Sequence, residues 1–117
     1  MKSSIINKAT ENSFSVAFLL LLPFVSSTSF AKPQTHVIKI ENMMFNPSTI
    51  DVHQGDRVVW KNLDIVPHTV TSEVKNQKIE SGTIAGQKSF SIKMPDQTIE
   101  YFCRFHPTMK ATLHLVR

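Results

Sequence analysis

The 117 residues carry 13 Lys and Arg against 9 Asp and Glu, a formal charge of +4, with one cysteine and three glycines. That length accommodates one domain. The lone Cys excludes a disulfide framework and a Cys-rich zinc module, and so few glycines exclude collagen-like or Gly-rich low-complexity designs.

The chain opens with a segment that reads as an export leader. Lys2 and Lys8 form a positive n-region, residues 14–25 are an apolar run, and Ser29-Phe30-Ala31 sets small residues two apart before Lys32. The run falls short of the ~20 apolar residues that a membrane span requires, and Pro23 interrupts its end. The expectation is a cleaved signal peptide over 1–31 and one domain over 32–117, hence a periplasmic or otherwise exported protein with no membrane attachment after cleavage. Lipidation at the cleavage point would need a cysteine there, and the only one is Cys103. Residues 32–117 hold 11 Lys and Arg and 8 Asp and Glu with no run of like charges, which removes most of the case for nucleic-acid binding. A domain of this size benefits from a staple, and without disulfides a metal is the obvious candidate. In an oxidising compartment a single thiol has to be buried or ligated.

From Thr35 onward the hydrophobic period is two, and no long window holds a 3.6-residue repeat. Val37-Ile38-Lys39-Ile40-Glu41 begins the series, and Asn46-Pro47 is a turn. Ile50 and Val52 alternate with Asp51 and His53, and Gln54-Gly55-Asp56 turns into Arg57-Val58-Val59-Trp60-Lys61. Asn62-Leu63-Asp64 is a loop, His68-Thr69-Val70-Thr71-Ser72 a β-branched strand, and residues 73–79 a polar connection. Turns at Ser81-Gly82 and Ala85-Gly86 lead to a strand over 88–94, Pro95-Asp96 to one over 98–103, and the last strand covers 111–116. Six to eight short strands in a domain of this length imply an all-β fold, a Greek-key sandwich or small barrel. The expected core is Val37 or Ile38, Ile40, Ile50, Val52, Val58, Trp60, Val70, Phe90, Ile92, Ile99, Tyr101, Leu113 and Leu115.

Chemistry concentrates in Tyr101-Phe102-Cys103-Arg104-Phe105-His106-Pro107-Thr108-Met109. Pro107 and the strand entering Cys103 argue against a helix, so a tight loop wraps Cys103, His106 and Met109 around one point. A soft thiolate, a borderline imidazole and a weak soft thioether suit copper far better than magnesium, calcium or non-haem iron. A trigonal two-His, one-Cys site with axial Met needs a second histidine, and His68, fixed after Pro67 at a strand end, supplies it. Zinc is the competing ion, but a thioether does not help zinc.

These two segments together resemble the type 1 copper cupredoxins, most closely the amicyanin and plastocyanin-like electron carriers. The resemblance spans residues 35–117 and implies one copper ion per chain, held by His68, Cys103, His106 and Met109, and no enzymatic activity. It implies single-electron shuttling between larger redox proteins, such as a dehydrogenase, cytochrome or oxidase docking near His106, by a monomer. An apolar collar of Met43, Phe45, Phe105 and Pro107 is expected around His106. Lys61, Lys75, Lys78, Lys88 and Lys110 suggest partners with acidic rims. The family usually has Asn after the first His and Ser or Thr after the Cys. Here Thr69 is expected to offer its amide to the Cys sulfur, and Arg104 to place a cation near the thiolate and raise the potential. His36, His53 and His114 read as surface residues, Met43-Met44-Phe45 as packing in preference to an extra soft-metal site, and Trp60 as core. The alternative function is a copper chaperone or copper-resistance protein of the same fold, and a third is a metal-free interaction module.

Overall fold

The computed structural model describes residues 20–29 and 31–117, and the chain divides into two units, Met1–Phe30 and Ala31–Arg117. Most of the expected leader lies outside the described residues. Within residues 20–29 no strand or helix forms, and Leu20, Leu21, Leu22, Phe24 and Val25 are exposed. None of the described residues is helical, so none forms a helix long and apolar enough to cross a membrane.

The second unit is an all-β sandwich. Its strands are β1 (Thr35–Glu41), β2 (Met44–Asn46), β3 (Thr49–His53), β4 (Arg57–Asn62), β5 (Thr71–Ser72), β6 (Ile79–Glu80), β7 (Ser89–Lys93), β8 (Ile99–Phe102) and β9 (Lys110–Val116). One sheet runs β2-β1-β4-β7 and the other β3-β9-β8-β5-β6. Both are mixed, because β1 lies parallel to β4 and β3 parallel to β9 while the other pairs are antiparallel.

Period-two alternation turns one face of each strand inward. Ile38 and Ile40 of β1, Val58 and Trp60 of β4, Ile99 and Tyr101 of β8 and Leu113 of β9 are all buried, whereas Val37 faces out at 56% exposure. Each fully buried large aliphatic side chain contributes about 1.5–3 kcal/mol relative to exposure. Trp60 meets Tyr101 edge-on with centroids 5.4 Å apart, and Tyr101 meets Phe45 in the same way at 4.8 Å.

Several expectations need correcting. Nine strands form, because β2 and β6, too short to show a period, pair with β1 and β5. The strand expected over 68–72 is regular only at Thr71–Ser72, with His68 in an isolated bridge to Ile84. Ile50, Phe90, Ile92 and Leu115 are only partly buried. The first three sit on edge strands β3 and β7, where one flank has no neighbour to cover it. Phe45 is not part of a surface collar, because its ring is buried against Tyr101.

Strands β1 and β2 join through a two-residue loop, Asn42-Met43, closing the Glu41–Met44 pair. Both loop residues have positive φ, 52° and 59°, the combination that matches the right-handed twist of a hairpin. Asn tolerates this conformation; a methionine does so at some cost.

Candidate metal centre

Two segments, one carrying His68 and the other residues 103–109, bring the donor atoms together. His68 lies between β4 and β5, where its amide donates to Ile84 O (3.1 Å) and its carbonyl accepts from Ile84 N (2.8 Å). Cys103 follows directly on β8, and residues 104–109 return to β9. As expected, that return is a tight loop. His106 N donates to Cys103 O (3.2 Å), Met109 N to His106 O (2.8 Å) and Cys103 N to Met109 O (3.1 Å). The loop is thereby locked at its base and at both internal turns.

Cys103 Sγ lies 3.7 Å from His68 Nδ1 and 3.6 Å from His106 Nδ1. One donor atom from each of the three residues lies within 4.8 Å of the others. Metal bonds of about 2.3 Å to sulfur and about 2.0 Å to nitrogen, meeting at about 110–120°, subtend about 3.5–3.7 Å between the donors. The spacing therefore fits one ion between them. Cys103 and His68 are fully buried, Met109 is buried at the foot of the same loop, and His106 is partly exposed.

Around these donors the chain supplies a supporting frame. Thr69 N–H donates to Cys103 Sγ at 3.3 Å, as the sequence suggested. Thr69 Oγ1 accepts from Arg104 N (2.8 Å) and pairs with Thr71 Oγ1 (3.0 Å), so one side chain ties the two ligand-bearing segments together. His68 turns its other nitrogen, Nε2, to Asp64 Oδ2 at 2.8 Å, which orients the ring and leaves Nδ1 facing Cys103. The same carboxylate accepts from Asn42 N (2.8 Å) and Met43 N (3.0 Å), and so clamps the β1–β2 turn to the ligand loop. Burial alone would push the Asp64 carboxyl up, but hydrogen bonds from the Met43 amide, the His68 ring and the Asn42 amide outweigh it and hold it below the usual range.

Asp64 is in turn positioned by Asn62. This fully buried side chain accepts from Asp64 N (2.9 Å) and donates to Val66 O and Ile84 O (2.9 Å each). Gly86 packs against the same loop, where a Cβ would lie 2.9 Å from Asp64 O. Neither Asn62 nor Asp64 was singled out from the sequence. An Asn-x-Asp turn shortly before a histidine ligand is the signal that could have found them.

Arg104 departs from expectation. Its guanidinium makes a two-point ion pair with Glu80 Oε2 (2.9 and 2.8 Å) and approaches Glu73 (3.7 Å), 44% exposed. It faces carboxylates and solvent, so Glu80 offsets its charge. The hydrogen bond from Arg104 holds the Glu80 carboxyl below its ordinary range, and Glu80 raises the guanidinium in return.

The remaining histidines lie outside the site. His53 and His114 are exposed, the latter bonded to Asp51 (2.9 Å). His36 is not a plain surface residue. Half-buried, its Nε2 lies 2.8 Å from Asp56 Oδ2, a buried carboxylate that also accepts from Gln34 N and His53 N.

A family model described as a cupredoxin-like domain matches residues 14–114. The chain belongs to the cupredoxin-like family. Solved structures agree on the fold. A Cu(I) amicyanin variant with one methionine replaced by alanine superposes with TM-score 0.66 at 21% identity, covering 70% of this chain and 82% of that one. A second Cu(I) methionine-to-alanine amicyanin variant gives 0.67 at 22% identity, covering 75% and 87%. A reduced amicyanin with a proline replaced by phenylalanine gives 0.66 at 23%, covering 70% and 82%. In this cupredoxin, a sulfur and two imidazole nitrogens lie at the spacing of one ion and suit a single copper, and the Met109 thioether is buried in the same loop.

Proposed function

We propose that this cupredoxin is an exported single-electron carrier in which His68, Cys103, His106 and Met109 hold the copper. The carrying observation is the placement of Cys103 Sγ, 3.6–3.7 Å from both imidazole Nδ1 atoms, fully buried and receiving the Thr69 amide. Bound copper supplies a Cu(II)/Cu(I) couple. The residues do the rest: Asp64 fixes the His68 ring, Thr69 holds the Cys103 and His68 segments together, and the loop bonds hold His106 and Met109 in register. Water is kept from the thiolate and from His68, while the partly exposed His106 offers the route for the electron.

Exposed apolar side chains lie on the loops that carry the ligands: Ile65 (97%), Val66 (42%) and Phe105 (50%), with Met43 (40%) on the turn clamped by Asp64. Such a surface suits brief docking with a redox protein, and the net positive charge of residues 32–117 favours an acidic partner, so association weakens as salt rises. With four donors assigned, no open coordination position remains for a substrate, which supports a carrier and not an enzyme.

Adding Cu(II) to metal-free protein tests the site: an intense visible thiolate-to-Cu(II) band is expected, and its absence from fully loaded protein would sink the assignment. Rapid, reversible electron exchange with a cytochrome supports the carrier. Delivery of copper to an acceptor apoprotein without such exchange supports the chaperone reading. Export is checked by finding the protein in the periplasmic fraction with an N-terminus at Lys32.

A further inference from the structure

Two thioethers stand outside the ligand set. Met43 and Met44 are 40% and 58% exposed, so they are not the packing residues that a Met and aromatic cluster beside a turn usually provides. Both line a cleft of about 600 Å³ that also takes in Thr108, Met109 and Lys110. Met43 occupies the second loop position of the hairpin at φ 59°, a place that ordinarily goes to glycine, with its amide pinned to Asp64. Turn chemistry and packing both disfavour a long, solvent-turned side chain there, which directs attention to what its sulfur does.

The buried donors need an access route. Cys103 and His68 are fully buried, so an ion must pass His106 or Met109, and Met109 shares its cleft with the exposed pair. None of the residues lining that cleft is a carboxylate, so hard cations find no oxygen cage, whereas thioethers select Cu(I). Lys110, the charged residue of the lining, repels a divalent ion twice as strongly as a monovalent one.

We propose that Met43 and Met44 form a surface acceptance site for Cu(I), from which the ion passes by thioether exchange through Met109 to the buried donors. The ion keeps its charge throughout and no electron moves; each step along the cleft replaces one thioether or water ligand by another, and the last replaces them by the Cys103 sulfur and the His68 and His106 nitrogens, with the thiol proton released to water. This rests on the copper assignment made above.

The test uses Cu(I) presented as a weak chelate under anaerobic conditions, and Ag(I) as a redox-inert analogue. The double variant Met43→Leu, Met44→Leu keeps the apolar surface and removes both sulfurs. Cu(I) loading of the metal-free protein should slow about tenfold, the scale on which removing a metal-supporting group acts, while the Cu(II) loading rate and final visible spectrum stay as in wild type. A second pair, Met43→Gly with Met44→Leu, relieves the strained turn and should slow loading equally. Ag(I) added to Cu(II)-loaded wild type should shift the methyl resonances of Met43 and Met44. Wild-type Cu(I) loading in both double variants, or unshifted methyl resonances, overturns the proposal. A wild-type protein that shows no thiolate-to-Cu(II) band overturns the copper assignment instead.

Discussion

Replacing Asp64 by alanine probes the site and its frame together, because one carboxylate serves three partners from two segments. His68 Nε2 is 2.8 Å away in a fully buried ring, and the Asn42 and Met43 amides lie at 2.8 and 3.0 Å in an exposed turn. Alanine leaves the buried ring N–H without a partner, at about 1–3 kcal/mol. The two turn amides can bond water instead and lose about 0.5 kcal/mol each. Metal-free protein should therefore lose about 2–4 kcal/mol, lowering Tm by roughly 10–25 °C for a domain of this size.

A second loss appears only with the ion. Without the carboxylate the neutral His68 ring is free to carry its proton on Nδ1, the atom that faces Cys103, and that proton must leave before a metal binds. Loss of such a partner weakens metal binding about 10–100-fold, or about 1.4–2.7 kcal/mol. The Tm difference between wild type and Asp64→Ala should thus be larger with saturating Cu(II) than in chelator. Circular dichroism melts in both conditions and a Cu(II) competition titration measure the two parts separately. Asp64→Asn, which keeps an acceptor and loses the charge, should fall between. A metal-free Tm within about 3 °C of wild type, outside the range expected for a lost buried hydrogen bond, would refute the structural half. Cu(II) affinity unchanged to within about twofold would refute the orientation half.

Thr69→Val removes the hydroxyl that accepts from Arg104 N (2.8 Å), and should cost about 1–3 kcal/mol. Faster hydrogen exchange at the Arg104 amide is the accompanying sign, and unchanged exchange would count against the tie. Arg104→Ser should move the reduction potential by less than about 30 mV, half the shift of a tenfold preference in a one-electron couple, since its guanidinium faces Glu80 and solvent; voltammetry showing a larger drop would restore a role at the thiolate. For Asp56, burial pushes the carboxyl up, but the Gln34 amide, the His36 ring and the His53 amide outweigh it and hold it low. Because the folded value is depressed, the resulting stability is present above the unfolded value near 3.9 and is lost as pH falls toward the folded one. Asp56→Asn should therefore be less stable than wild type at pH 7, with the gap closing below about pH 3.9 in denaturant titrations at several pH values.

What the sequence displayed and what it hid divide along physical lines. Cys103, His106 and Met109 were legible because a tight loop keeps them close in the chain, and His68 because it stands between Pro67 and a β-branched run, although the regular strand begins only at Thr71. Alternation gave Ile40, Val52, Val58, Trp60 and Leu113 as core and left Val37 and Ile38 as alternatives, of which Ile38 is the buried one. Asp64, by contrast, draws its meaning from Asn42 and Met43, 22 and 21 residues away, and the Arg104–Glu80 pair spans 24. No local pattern announces such contacts. Phe45 misled because Met43-Met44-Phe45 reads as one cluster, whereas alternation within β2 sends the phenyl ring inward and Met44 outward, and Met43 lies in the exposed turn. His36 misled because its partner, Asp56, is brought beside it only by the parallel pairing of β1 with β4.

The bonds that place the donors bypass the two imidazole Nδ1 atoms, and the Thr69 amide is the one that reaches a donor, Cys103 Sγ. His68 is held through Nε2 by Asp64, and Cys103, His106 and Met109 through their backbone, with Thr69 Oγ1 bridging to Arg104 N. The 3.6–3.7 Å spacings of Sγ and the two Nδ1 atoms are thus a property of the fold itself. A donor set fixed in this way has little freedom to follow the differing geometric preferences of Cu(II) and Cu(I), so neither oxidation state can draw the chain far from the other's arrangement. Small rearrangement between states is what the proposed electron-carrier function asks of the site. It also explains why so much of the frame, from Asn62 through Asp64 to the Asn42-Met43 turn, is spent on orienting one buried histidine.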